Sequence, residues 1–345
     1  VTSISRKEIA DILSARGSKQ QEVFQRAREL YRSVDPGSVY LRGLLEISNI
    51  CVNDCLYCGI RRSNSSIERY DTDMDEILEV AHSVWSCGIR SMVIQSGERR
   101  DRGFTDFVER MVLVIKEVYP DMAITLSVGE QSREDYIRFF QAGAERYLLR
   151  IESSKPEIYE KIHPKWMSYS NRVKCLEYLK EAGYQVGTGV MIALPGQTVE
   201  DLAHDIIFMR DMDIDMCGMG PFIPHGDTPM GAAVIDEDER LNLSLNMISA
   251  LRIAMPAINI AATTALETIS PGGRQLGVLA GANVIMPQFS PQRNRGNYML
   301  YEGKPENCAL TLDIVEEMKD INMKVRLEST GTSAHYIRRQ SCQQL

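Results

Sequence analysis

From residue 39 onward, short apolar runs alternate with longer segments whose apolar residues recur every three or four positions. The runs 39–48, 90–96, 123–128, 146–152, 185–194, 215–223, 258–263 and 282–287 predict strands. The segments near 74–87, 104–118, 132–143, 170–182, 198–212, 236–253 and 271–280 predict amphipathic helices. Upstream, Arg6 to about Ser33 predicts helix, with Ile9, Ile12 and Leu13 at helical spacing, until Asp35-Pro36-Gly37 breaks it. Downstream, a further helix is predicted near 305–319, before a polar end that includes Arg338, Arg339 and Cys342. Strands alternating with helices build parallel βα units. Right-handed crossovers close eight such units most naturally into an α/β (β/α)8 TIM barrel. A doubly wound open sheet is the alternative, but a run of cysteines stands where its G-x-G-x-x-G turn would follow the first strand. The expected organisation is an N-terminal helical extension at 1–36, a barrel at 37–302 and a C-terminal helical tail at 303–345.

Composition narrows the function classes. The chain has 345 residues, 44% of them hydrophobic and 25% charged, as in an ordinary globular protein. A net charge of −8 and a pI near 5.4 argue against a nucleic-acid surface, which would carry a basic stripe. No apolar run is long enough for a membrane span, and the first residues lack the apolar core of a secretion signal. A cytoplasmic location is expected. A reducing compartment would keep the eight cysteines as thiols. The seventeen methionines read first as gap-filling core, with Met216 and Met219 also candidates for a cavity wall.

The chemistry gathers at Cys51, Cys55 and Cys58, in a loop directly after the first strand. Three thiolates at C-x3-C-x2-C spacing can wrap one corner of a [4Fe–4S] cube. Such clusters usually take four cysteines, so three leave one iron open. Two other readings stand beside this one. Cys55 and Cys58 form the C-x-x-C of a redox dithiol, which leaves Cys51 unexplained. Three cysteines and a histidine would make a structural zinc site, yet the next cysteine, Cys87, is isolated with no histidine at ligand spacing.

In a barrel, chemistry sits at the C-terminal ends of the strands. Gln95, Ser96 and Glu98, then Thr125, Ser127 and Glu130, then Arg150 and Glu152 all fall there. So do the 191–198 turn, His225, and Thr263 with Thr264. Arg150 with Glu152 also reads as a structural ion pair, and His225 as a hydrogen-bonded loop residue. An open iron needs a chelating ligand. S-adenosylmethionine offers its amine and carboxylate. Glu98 suits that amine, Glu152 the ribose hydroxyls, Arg172 the carboxylate and Tyr57 the adenine face. The cluster would then pass one electron to the sulfonium and release a 5′-deoxyadenosyl radical in a site that excludes water.

The cysteine spacing, with an aromatic before the third cysteine, resembles the radical S-adenosylmethionine (radical SAM) enzymes. The strings Tyr57-Cys58-Gly59-Ile60-Arg61-Arg62, Val93-Ile94-Gln95-Ser96-Gly97-Glu98, Leu194-Pro195-Gly196-Gln197-Thr198 and Pro271-Gly272-Gly273-Arg274 resemble, more narrowly, the HydE family of [FeFe]-hydrogenase maturases. That likeness runs from about Val39 to Tyr301. Biotin synthase and methylornithine synthase are more distant relatives. The resemblance implies a cluster on Cys51, Cys55 and Cys58. It implies an S-adenosylmethionine site lined by Tyr57, Gln95, Ser96, Glu98, Thr125, Ser127, Glu152, Arg172, Met191 and Leu194. It implies an anionic small-molecule or organometallic substrate on Arg150, Thr263 and Thr264. It further implies an external electron donor and other maturases as partners. Other functions stay open: a HydE-like amino-acid mutase resembling methylornithine synthase, or a non-catalytic iron–sulfur carrier. Sulfur insertion would need a second cluster, with Cys217 pointing inward. The tail holds only Cys308 and Cys342, too far apart for a further cluster motif. The polar, basic stretch 290–297, with Arg293 and Arg295, departs from the family pattern near the barrel mouth and suggests a changed partner or substrate.

Overall fold

The computed structural model describes residues 4–304 and 311–343. Its strands are β1 (Ser38–Leu41), β2 (Gly43–Ser48), β3 (Ser91–Ser96), β4 (Ala123–Ser127), β5 (Ala144–Leu148) and β6 (Gln185–Thr188). They continue as β7 (Met191–Ile192), β8 (Met216–Cys217), β9 (Gly220–Pro221), β10 (Asn259–Ala262), β11 (Val284–Ile285) and β12 (Lys324–Val325). All strand pairs are parallel, in the order β12-β1-β11-β10-β8-β6-β5-β4-β3-β2, with β7 on β9 as a short upper continuation. Only Arg42 separates β1 from β2, so they are one strand. Its lower half pairs β11 and its upper half pairs β3, which closes the order into a barrel. The predicted α/β TIM-like architecture is therefore present. Strand residues are buried on both faces, as a barrel sheathed in helices requires.

Helices are started by side-chain caps where the sequence offers them. Asp73, Asp101, Ser132, Ser168, Thr198 and Asp236 each accept a backbone N–H three residues on. The N-terminal stretch differs from the single helical span expected. It forms two helices, Arg6–Leu13 and Ser18–Arg32. Gly17 between them sits at φ +58°, and Asn246 Nδ2 donates to the carbonyls of Leu13 and Ala15, both at 2.9 Å. Those carbonyls are captured by another helix instead of continuing their own. The predicted helix near 305–319 is present as Thr311–Asp320; residues 305–310, including Cys308, lie outside the described residues.

The chain after 320 closes the lower end of the barrel. β12 pairs with β1, and the segment beyond crosses the floor. Arg146 Nη2 donates to the Thr330 carbonyl at 2.9 Å, and Asn259 Nδ2 to that of Gly331 at 2.8 Å. Among the described residues, neither Arg42 nor Arg146, both buried in this floor, is ion-paired to a carboxylate. The C-terminal end of the barrel holds an open cavity.

Candidate active site

Alternation along β2 determines what faces the lumen. Leu45 and Ile47 join the core, while Leu44 and Glu46 line the upper cavity. The chain then turns into the loop carrying the three cysteines. Gly97, directly after β3, lies against that loop. A Cβ there would stand 2.3 Å from the Ile50 carbonyl oxygen and 2.9 Å from Cys51 Cβ, so only glycine allows the approach.

A cavity of about 300 Å³ fills the barrel mouth. Cys51, Cys55 and Cys58 border it as free thiols. Two backbone N–H groups, of Asn53 and Glu98, each lie 3.4 Å from Cys51 Sγ, and Cys55 Sγ contacts Met167 Sδ at 3.7 Å. Burial first, and the repulsion of its neighbours second, raise the Cys55 thiol well above its usual range and push Cys58 up to about 12. Three thiols that resist ionisation together are stabilised as thiolates by cationic metal, with release of their protons. Among the described residues, no three His, Cys, Asp or Glu side chains converge on one point as ligands of a single ion, as a zinc site would need. A cube instead takes one thiolate per corner, so the donor set fits an iron–sulfur cluster.

Beyond the cysteines the cavity brings together Tyr57, Gln95, Ser96, Glu98, Ser127, Glu152, Arg172 and Met191, together with Arg150, Thr263 and Thr264. Two predicted residues fall elsewhere. Thr125 points into a separate, smaller void toward the floor. Leu194 packs behind the wall in an apolar cluster with Ile162, Met191 and Phe222, against Tyr57.

Glu152 is held at φ +62°, where few non-glycine residues sit. Its carboxylate lies 2.9 Å from Arg150 Nη2, yet off the hydrogen-bond direction, so buried Oε2 keeps no donor. Burial raises the Glu152 pKa, and Arg150 and Arg172 oppose that. Arg150 Nε and Thr263 Oγ1 are likewise buried without a partner. Orphaned polar atoms are uncommon in native interiors. Three of them bordering one cavity mark a place where a polar ligand completes the bonding.

The contacts that hold these residues, and the members His163 and Lys304, were not legible beforehand. Arg172 Nε donates to Glu130 Oε1 at 2.7 Å, and its Nη2 lies 3.8 Å from Glu98 Oε2. Glu98 also accepts from Arg100 and from the Glu130 backbone N–H. Arg172 thus reaches the cavity already bound to two acids, which limits the fork available to a ligand carboxylate. Tyr57 is oriented by His163. Its hydroxyl lies 3.3 Å from Nε2, while Nδ1 lies 2.8 Å from the Tyr159 carbonyl oxygen. Burial lowers the His163 pKa to about 3, so it is neutral and presents Nε2 as an acceptor to the phenol. Lys304 reaches back over the mouth to Glu46 Oε1 at 2.5 Å, and Gln288 Nε2 donates to Glu46 Oε2 at 2.7 Å. The period-two pattern of β2 marks Glu46 as inward; nothing local marks Lys304 or His163.

The structure also places Cys217, the basic stretch and His225, the last as the hydrogen-bonded loop residue expected. Cys217 contacts Met209 Sδ at 3.6 Å on the helix side of the sheet, so it faces away from the lumen, and a second cluster there lacks its thiol. Arg293 pairs with Glu76 on the neighbouring helix, and Arg295 Nε donates to the Ser290 carbonyl. The basic stretch is a brace outside the cavity. His225 is a loop residue, its Nδ1 accepting from the Asp227 N–H.

Residues 45–209 match the Radical SAM superfamily. The chain is 43% identical over 284 residues to the [FeFe] hydrogenase maturase subunit HydE of Thermotoga maritima, spanning 82% of this chain and 80% of that one. It is 26% identical to the 3-methylornithine synthase of Methanosarcina acetivorans over 95% of this chain and 89% of that one. Solved structures repeat the fold. Methylornithine synthase (PylB) superposes with a TM-score of 0.80 at 22% identity, covering 94% of this chain and 95% of that one. The maturase HydG from Carboxydothermus hydrogenoformans does so with a TM-score of 0.80 at 19% identity, over 94% and 76%. With this likeness to HydE across four-fifths of both sequences, the chain belongs to the HydE family of radical SAM enzymes, which work with a [4Fe–4S] cluster and S-adenosylmethionine.

Proposed function

We propose that this protein is a HydE-type maturase that cleaves S-adenosylmethionine reductively and directs the resulting radical at a small anionic substrate in hydrogenase cofactor assembly. One observation supports this above the rest. Three free thiols and three orphaned polar atoms, Arg150 Nε, Glu152 Oε2 and Thr263 Oγ1, border the same closed-bottom cavity.

Cys51, Cys55 and Cys58 would hold the cluster. When bound, it supplies the electron that breaks the carbon–sulfur bond of S-adenosylmethionine. Glu152 Oε2 accepts from ribose hydroxyls. Tyr57, fixed by His163, gives the adenine an aromatic face. Gln95, Ser96, Ser127 and Met191 shape the wall around the cofactor, and Glu98 and Arg172 hold its amino-acid end. Arg150, Thr263 and Thr264 face the space beyond, where a guanidinium and two hydroxyls suit an anion with several acceptors. Among the described residues no helix is long and apolar enough to cross a membrane, which accords with a cytoplasmic site of action beside the other maturases.

The test is anaerobic. Reconstituted protein with excess reductant should convert S-adenosylmethionine to 5′-deoxyadenosine and methionine, and Cys55→Ala should lose this entirely. Undiminished cleavage by that variant refutes the cluster assignment. Added to an in vitro maturation mixture lacking its HydE component, the protein should restore hydrogenase activity. Cleavage without restoration would leave a radical enzyme of another pathway.

A second reading has one observation in its favour. An amino-acid substrate, as the name 3-methylornithine synthase implies for that relative, needs an acid for its amine opposite an arginine for its carboxylate. Glu46 faces the cavity and would serve, but Lys304 already neutralises it.

A further inference from the structure

The surface directly outside the cysteine loop carries exposed apolar and basic side chains. Trp166 is 56% exposed and Val52 40%, two apolar side chains left in water beside the cluster loop. Both belong to the cluster loop or touch it. Trp166 Nε1 donates to Asn53 Oδ1 at 3.3 Å, and the Asn53 N–H lies 3.4 Å from Cys51 Sγ. The next residue, Met167, meets Cys55 Sγ at 3.7 Å. The indole is therefore one residue away from two of the three thiols. The Leu56 N–H donates to the Ile162 carbonyl at 2.9 Å, which keeps the 162–167 segment against the loop.

The charge around this spot is positive. Arg62 lies over the Trp166 ring, 4.9 Å from its centroid. The cysteine loop 51–62 and the segment 160–166 packed on it hold Arg61, Arg62, Lys161 and Lys165 against Asp54 and Glu160, a surplus of two positive charges on a protein whose net charge is −8. Arg61 is paired to Asp54 at 2.9 Å, while Arg62, Lys161 and Lys165 are exposed.

We propose that Trp166, Val52, Arg62 and Lys165 form the docking surface for a small acidic one-electron carrier protein. This rests on the reductive cleavage proposed above. Each cleavage consumes one electron, so the carrier is oxidised by one electron for each carbon–sulfur bond broken. The floor of the barrel is plugged and the cofactor fills the mouth, so the outer side of the cysteine loop is the short approach to the cluster. An apolar centre with an aromatic anchor suits the small interfaces of transient redox pairs, and a basic rim on an acidic protein steers an acidic carrier to this one place.

The test compares two reductants on the full-length reconstituted enzyme. S-adenosylmethionine cleavage is measured with sodium dithionite and, separately, with a reduced, purified flavodoxin as the protein donor. R62E/K165E should lower the flavodoxin-driven rate about tenfold or more at low salt while leaving the dithionite-driven rate within twofold of wild type. The wild-type flavodoxin rate should fall with ionic strength, and that of R62E/K165E should depend on it less. K7E/K19E, an equal charge change at exposed sites on the N-terminal helices, should alter neither rate. The surface is wrongly assigned if R62E/K165E keeps the wild-type flavodoxin rate, if K7E/K19E loses as much, or if the dithionite rate falls equally. Absence of dithionite-driven cleavage in the wild type sinks the proposed function itself, and this surface with it.

Discussion

The two ends of the barrel both bury charge, and they treat it differently. At the floor, Arg146 and Arg42 turn their guanidinium groups toward the tail that crosses beneath them; Arg146 Nη1 also donates to Ser91 Oγ at 2.9 Å, and Arg42 Nη1 points at Met216 Sδ at 3.0 Å. The Nε of each stays unpaired, that of Arg42 beside a void of about 20 Å³, room for a water at most. At the mouth, the orphaned atoms of Arg150, Glu152 and Thr263 border about 300 Å³. Buried polar groups cost free energy unless something meets them. At the floor, backbone carbonyls and Ser91 take part of the guanidinium donors, and the larger volume at the mouth is left for a ligand. One end holds the fold closed, and the other waits for the chemistry.

Exchanging perturbations between the ends tests this contrast. The largest effect belongs to Cys55→Ala, which should abolish 5′-deoxyadenosine formation and leave the thermal unfolding of the metal-free protein almost unchanged. Arg146→Leu should do the reverse. It strands the Thr330 carbonyl and Ser91 Oγ in a dry interior, at about 3 kcal/mol or more of stability in denaturant unfolding. S-adenosylmethionine affinity should survive wherever that variant is folded. Glu152→Gln removes a charged acceptor at the mouth and should weaken S-adenosylmethionine binding by about 1.5–3 kcal/mol in calorimetry, tenfold or more. Comparable affinity would show that Oε2 does not meet the ribose. Thr263→Val should lower substrate turnover about fivefold, the worth of one hydrogen bond, without slowing cleavage in the absence of substrate.

A further effect lies in the pH dependence. His163 titrates at about 3 in the folded protein against 6.5 when exposed. Between those values the unfolded chain binds more protons, so His163 contributes stability above pH 6.5 that is lost as pH falls toward 3. His163→Asn should flatten the acid limb of metal-free stability by up to about 1.4 kcal/mol per pH unit. An unchanged slope would mean that the imidazole is not held neutral against Tyr57.

Periodicity alone carried the strand and helix order, because a barrel of parallel βα units repeats one local grammar with little long-range exception. It missed the break at Gly17, where the deciding partner, Asn246, lies more than two hundred residues away. The direction of Cys217 was not legible for a related reason. Strand six is interrupted between β8 and β9, and period two does not say which face of so short a strand meets the lumen.

The sequence by itself determined the chemistry of the mouth. Thiol spacing within eight residues, and polar residues at strand ends, are local facts that survive any uncertainty about packing. Only the tertiary structure decided which polar groups are already spoken for. Arg172 proves to be shared between Glu98 and Glu130, Glu46 is neutralised by Lys304, and Tyr57 is aimed by His163. Each of these depends on contacts between segments distant in the chain, and pairing strength turns on distance and burial, which no one-dimensional pattern contains.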